Sequence, residues 1–196
     1  MGTGKILLQS FLQFKNLKYV YGVELSQGRY KLAEEAVLRL INLLGVDNYQ
    51  VEINPGKYVI VTEAIRNPEY SEKEADSPGS ASASNVPEFA ERILHMECGN
   101  MFDVTNVDIA DIVMMETDVP AVTHSELIKL LDSMHEGSRL LTYLDLRRIW
   151  EYSTFKQLEC NRHLSDRYPT SWSVQRGHHF YFWVKVRDDS CICALL

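Results

Sequence analysis

The residues of this 196-residue chain that could do chemistry sit at a few separated places. It opens on Met1-Gly2-Thr3-Gly4-Lys5, where glycines let backbone approach a ligand at the start of a helix. Two nucleotide motifs lose ground at once. A phosphate-cradling loop needs Ser or Thr after its Gly-Lys, and Ile6 stands there; a dinucleotide fingerprint needs a third glycine near Leu7. Roughly 20 residues on, Glu24 closes the run Tyr19-Val20-Tyr21-Gly22-Val23-Glu24, and a strand-end carboxylate at that spacing can accept both ribose hydroxyls. Read alone, it is equally a solvated acid. Gly99-Asn100-Met101-Phe102 offers an Asn for an adenine edge and Met or Phe for the ring face, or else a tight turn carrying a core hydrophobe. Glu116 and Asp118, in Met115-Glu116-Thr117-Asp118-Val119-Pro120, could bind a substrate amine or hydroxyl, although solvation is the commoner fate of acidic loops. The aromatics of Ser171-Trp172-Ser173 and His178 to Trp183 read mostly as core or hairpin faces. No nucleophile, base and orienting acid form a recognisable triad. Adjacent His178 and His179 on a strand point to opposite faces, which argues against a shared metal.

The elements that must position these groups alternate in type. Ile6, Leu7, Leu8, Phe11, Leu12 and Phe14 predict a short buried helix after the glycine turn, and Tyr19 to Glu24 a strand. Leu32, Ala36, Val37, Leu40, Ile41 and Leu44 predict one face of a second helix stopped by Gly45. Strand-like runs follow at Gln50 to Ile53 and Tyr58 to Thr62. Asn67 to Pro87 holds three prolines and five serines with almost nothing to bury, and is expected to be a disordered surface insertion over 67–87. Arg92 to Glu97 resumes regular structure, and Ala110 to Met115 reads as a buried strand. Thr123 with Glu126 matches a capping box ahead of a helix bearing Leu127, Leu130, Leu131 and Met134 and ended by Gly137. Strands at Arg139 to Leu144, Phe155 to Cys160 and Phe180 to Val186 complete an α/β sheet with an antiparallel hairpin at its C-terminal edge.

Composition bounds the function. At 22.6 kDa, 45% hydrophobic and 24% charged, the chain suits one globular domain with a real core. A net charge of -7 and a pI near 5.4 argue against direct nucleic-acid binding, which needs clustered Lys and Arg, and favour a basic partner. No apolar run reaches the roughly 20 residues of a membrane span and no signal peptide is evident, so an intracellular protein, of nucleus or cytoplasm, is expected. Cys98, Cys160, Cys191 and Cys193 lack zinc spacing and read as reduced thiols.

Together, Gly-x-Gly-Lys, Tyr21-Gly22-Val23-Glu24, Gly99-Asn100-Met101-Phe102, Met134-His135-Glu136-Gly137-Ser138-Arg139 and Ser171-Trp172 occur in an order that resembles a known family. It is that of the class I S-adenosylmethionine methyltransferases, and within it the catalytic domain of the disruptor-of-telomeric-silencing, non-SET histone lysine methyltransferases. The resemblance covers nearly the whole chain outside the insertion. It implies a single Rossmann-like methyltransferase domain over 1–196, with helices on both faces of its sheet. The family's strand and acid upstream of the glycines are expected to be missing. It implies S-adenosylmethionine as cofactor, bound by Gly2, Gly4, Lys5 and Leu25, with Glu24 holding the ribose and Asn100 and Met101 framing the adenine. Glu116, Trp172 and Tyr181 would serve the acceptor side, on a basic, histone-like protein lysine. No metal is implied, since the reaction needs alignment, exclusion of water and loss of the amine proton.

Rival readings remain at this stage. A non-catalytic adenosine-binding or scaffolding domain would share the fold, and a nicotinamide-dependent oxidoreductase is disfavoured by Leu7. Cys193-Ala194-Leu195-Leu196 fits a prenylation box, although an apolar tail packed on the sheet is the preferred reading; membrane association is expected only if Cys193 is prenylated. Myristoylation of Gly2 is disfavoured by Ile6. Oligomeric state is not legible.

Overall fold

A computed structural model describes residues 2–45, 49–66, 89–149, 157–170 and 173–186. The chain divides into two compact units, Met1–Met101 and Phe102–Leu196. The expected insertion 67–87, Trp172 and the Cys193 box lie outside the described residues.

In the first unit the glycine turn enters α1 (Lys5–Gln13), which buries Leu7 and Phe11 one turn apart but leaves Ile6 and the following Phe14 exposed. The helix is therefore amphipathic rather than wholly buried. The aromatic and β-branched run Tyr19–Glu24 forms β1. Ser26 begins α2 (Gln27–Leu44), its hydroxyl accepting from the Arg29 N–H, and Gly45 follows the last turn. With β2 (Tyr49–Asn54), β3 (Tyr58–Arg66) and β4 (Phe89–Cys98) they build a sheet of order β1-β4-β3-β2. In it β1 runs parallel to β4 and the other pairs are antiparallel.

Register puts Val20 beside Leu94 and Gly22 beside Met96, and Val59 and Val61 continue that face. Leu7 and Phe11 of α1 and Tyr30, Ala33, Val37 and Ile41 of α2 pack on it as one core. A Cβ at Gly22 would stand 2.2 Å from Leu7 Cδ1, so α1 can lie on β1 only because that residue is glycine. Arg92 on β4, 2% exposed, ties down the far end of α1. Its guanidinium donates to the carbonyls of Phe11, Phe14 and Leu17 and to the Glu63 carboxylate, and lies over the Phe11 ring. The predicted face of α2 is rotated in the structure. Leu32 and Leu44 are exposed while Tyr30 and Ala33 are buried, because Ala33 packs where Gly4 removes a side chain from its path. The other face of the sheet carries Tyr19, Tyr21, Tyr58 and His95, with Tyr21 donating to Glu97 at 2.8 Å.

In the second unit β5 (Ile112–Met115) runs parallel to β6 (Arg139–Thr142), and α3 (His124–Asp132) lies between them in sequence. Only Met115 of the apolar β5 run is buried, so this strand is less enclosed than its composition predicts. The expected capping box does not form. A one-turn 3₁₀ stretch, Ala121–Thr123, precedes the helix; Thr123 donates its hydroxyl back to the Pro120 carbonyl at 2.9 Å, and Glu126 accepts from Ser125 at 2.8 Å. Buried Lys185 donates from Nζ to the Leu131 and Asp132 carbonyls at 3.2 and 3.3 Å, a cation on the C-terminal end of α3. It belongs to β9 (Ser173–Lys185), which pairs antiparallel with β6, β7 (Leu158–Cys160) and β8 (Asp166–Thr170). The architecture is mixed α/β, with two mixed sheets and helices. No described helix is long and apolar enough to cross a membrane.

Candidate functional site

Parallel pairing of β1 with β4 fixes where their carboxyl ends open, and most of the expected cofactor residues of the first unit converge there. Glu24, last in β1, is the register partner of Cys98, last in β4, and its carbonyl accepts from the Gly99 N–H at 3.1 Å. Asn100, exposed, and Met101, half-buried, follow within two residues. On the other side the glycine turn bends back over the same strand end. Gly2 donates its N–H to Glu24 Oε2 at 2.7 Å. Oε1 accepts from the Ser26 N–H at 2.8 Å and from Arg29 Nε and Nη2 at 3.0 and 2.8 Å.

Glu24 is thus a carboxylate only 5% exposed yet surrounded by donors. Burial alone would push its carboxyl up. The hydrogen bonds from Arg29, Ser26 and Gly2 outweigh that and hold it below the usual carboxylate range, ionised at neutral pH. The two glycines do different work. Gly4, at φ 78°, faces a wall: a Cβ there would lie 2.9 Å from Ala33 Cβ. Gly2, at φ 61°, has nothing within 4 Å of its absent side chain and leaves open space beside the Glu24 carboxylate. Lys5, the first residue of α1, and Leu25, directly after β1, are both exposed at this end.

Neither a protein-family model nor a curated protein matches the chain. Among the described residues no group of three or more His, Cys, Asp or Glu side chains could hold a metal ion.

In the second unit Glu116 follows β5 and accepts from the Tyr143 hydroxyl at 2.8 Å. Tyr143 meets the rings of His178 and Phe180 edge-on, each 4.7 Å away. Burial first, and then the Glu116 carboxylate, push the Tyr143 phenol well above its ordinary value, so it acts as a donor and not as a base. Tyr181 belongs to a different group. It neighbours Phe180 on β9 and therefore leaves the opposite face of the strand, beside His179 and Trp183, with the Arg147 guanidinium 5.9 Å from its ring. Glu116 and Tyr181 are not brought together. Arg29, Tyr143 and Phe180 are contributors that sequence reasoning missed. Arg29 had one usable signal: it stands five residues after Glu24, in the first turn of the helix that the strand-end acid precedes.

Proposed function

We propose that the chain is an S-adenosylmethionine-dependent methyltransferase of the Rossmann-like class I type, acting on lysine in a basic protein. One observation carries the reading: Gly2, Glu24 and the Gly99-Asn100 turn meet at the carboxyl ends of two adjacent parallel strands, with the glycine N–H on the carboxylate. The topology supports it further, since each unit holds a parallel strand pair, β1 with β4 and β5 with β6, that has a helix between its members in sequence. A buried, ionised carboxylate suits a ribose diol, and the space beside Gly2 admits a ligand to the backbone. When bound, S-adenosylmethionine supplies a methyl carbon on a sulfonium for in-line attack by an amine, with the sulfur keeping the bonding pair and the amine proton passing to solvent. Glu24 would orient the ribose, Asn100 and Met101 would frame the adenine, and Leu25, next to Glu24, would line the same cofactor site. A net charge of -7 favours a basic substrate.

A non-catalytic adenosine-binding or scaffolding domain of the same fold is the second reading. Its scaffolding form is favoured by the Glu24 carboxylate, which the chain's own Gly2, Ser26 and Arg29 donors already engage. Calorimetric titration with S-adenosylmethionine, with NAD as control, is expected to give binding to the first alone. Glu24→Ala, checked for an unchanged circular-dichroism spectrum, should weaken that binding by at least tenfold, on the order of one charged hydrogen-bond set. Absence of S-adenosylmethionine binding by the wild-type chain refutes the methyltransferase reading and selects the scaffolding form of the second; binding without methyl transfer to basic histone-like peptides selects its adenosine-binding form.

A further inference from the structure

On the side of α2 away from the sheet, Leu32, Ala36, Arg39 and Leu43 form a stripe at four-, three- and four-residue spacing, the pattern by which one helix seats on another. Leu43 is 85% exposed and Leu32 55%. Leu40, with Leu8 and Leu12 of α1, widens the stripe into an apolar groove of about 490 Å3. Monomeric proteins seldom leave so continuous an apolar surface bare. The charges in this groove are Glu35 and Arg39, one helical turn apart with Nη2 and Oε2 at 3.9 Å.

That arrangement is complementary to itself. A second α2 laid antiparallel across the first, about a two-fold axis passing between Val37 and Leu38, sets Leu32 against the second copy's Leu43. It also sets Ala36 against the second copy's Arg39, because both pairs are symmetric about the same point. The small side chain of Ala36 leaves room for the Arg39 stem, and the guanidinium, passing it, meets the second copy's Glu35. Each contact occurs twice, as a two-fold interface requires. We propose that the α2 stripe, flanked by Leu8 and Leu12, is the interface of a symmetric homodimer of this chain. A lipid or an unrelated helix would make no use of the order in which Glu35 and Arg39 stand.

The test is sedimentation velocity on the full chain through the micromolar range. The wild-type chain is expected to reach a dimer. Leu43→Asp, at a position too exposed to affect folding, should weaken dimerisation at least tenfold. Glu35→Arg and Arg39→Glu should each weaken it about tenfold, since each turns two attractive contacts into repulsive ones. An equimolar mixture of those two variants should regain the wild-type dimer content, now as a heterodimer, because the arginines of one face the glutamates of the other. A wild-type chain that stays monomeric overturns the proposal. So do charge variants that dimerise like wild type, or a mixture that fails to recover.

Discussion

Replacing Gly4 by Ala separates the packing role of the glycine turn from its role beside the strand-end acid. Gly4 holds φ 78°, and the new Cβ would lie 2.9 Å from Ala33 Cβ and 3.4 Å from Met96 Sδ. The left-handed backbone costs about 1–2 kcal/mol for a residue with a Cβ. The contact adds about 1–3 kcal/mol, because Ala33 is fully buried and its Cβ is fixed to helix backbone that cannot rotate aside. Gly4→Ala should therefore lose about 3 kcal/mol of unfolding free energy in urea. Gly2→Ala, with φ 61° but open space around it, should lose only about 1 kcal/mol. A double-mutant cycle makes the argument sharper. Ala33→Gly costs about 1 kcal/mol by itself through helix propensity, yet in the Gly4→Ala background it removes the clash, so the two changes should couple by about 1–2 kcal/mol. Equal losses at Gly2 and Gly4, or additive behaviour of Gly4 and Ala33, would refute the assignment of Gly4 to helix packing.

Two further outcomes follow from buried charge. Arg92→Met takes the guanidinium from Glu63 and from the Phe11, Phe14 and Leu17 carbonyls, and should cost about 3–5 kcal/mol in the same urea assay; a loss below about 1 kcal/mol would show that water replaces the clamp. Glu24 and Asp145 both have carboxyls held below their ordinary range: burial would raise each, and the Arg29 and Arg147 hydrogen bonds prevail. Their contribution is present above the unfolded carboxyl values, near pH 4, and is lost as pH falls through the lower folded values. Glu24→Gln should accordingly flatten the acid side of a stability-versus-pH curve, and an unchanged slope would mean that Glu24 is not ionised against those donors.

Local signals in the sequence were strong where one short run decides its own structure. Tyr19–Glu24 is a strand with the bounds its composition predicts, because four of its six residues, Tyr19, Val20, Tyr21 and Val23, are aromatic or β-branched. Spacing from the glycines pointed to Glu24, whereas Asn100 joined it only through the family resemblance, because nothing local shows that β4 pairs in parallel with β1 and ends beside Glu24. Features that depend on partners distant in sequence were not. The rotation of α2 turns on Ala33 meeting Gly4, and Leu32 looks as apolar as Ile41 until that contact is known. Thr123 and Glu126 have the spacing of a capping box, yet the preceding 3₁₀ turn gives the hydroxyl a nearer acceptor in the Pro120 carbonyl. Glu116 could be named from its loop, whereas its donor Tyr143 could not, because β5 and β6 must first pair in parallel to bring them within reach.

The pairing of β9 with three different strands has a consequence for synthesis on the ribosome. Everything the first unit pairs, from β1 to β4, has been translated by Cys98, so its sheet can close while the rest of the chain is still being made. The second unit has no such freedom. β6, β7 and β8 all take their antiparallel partner from Ser173–Lys185, the last of the described strands to emerge, and β6 meets it across some forty intervening residues. Until that strand clears the exit tunnel the edges of these strands stay unpaired, and the nascent chain must be kept from pairing with its neighbours for that interval.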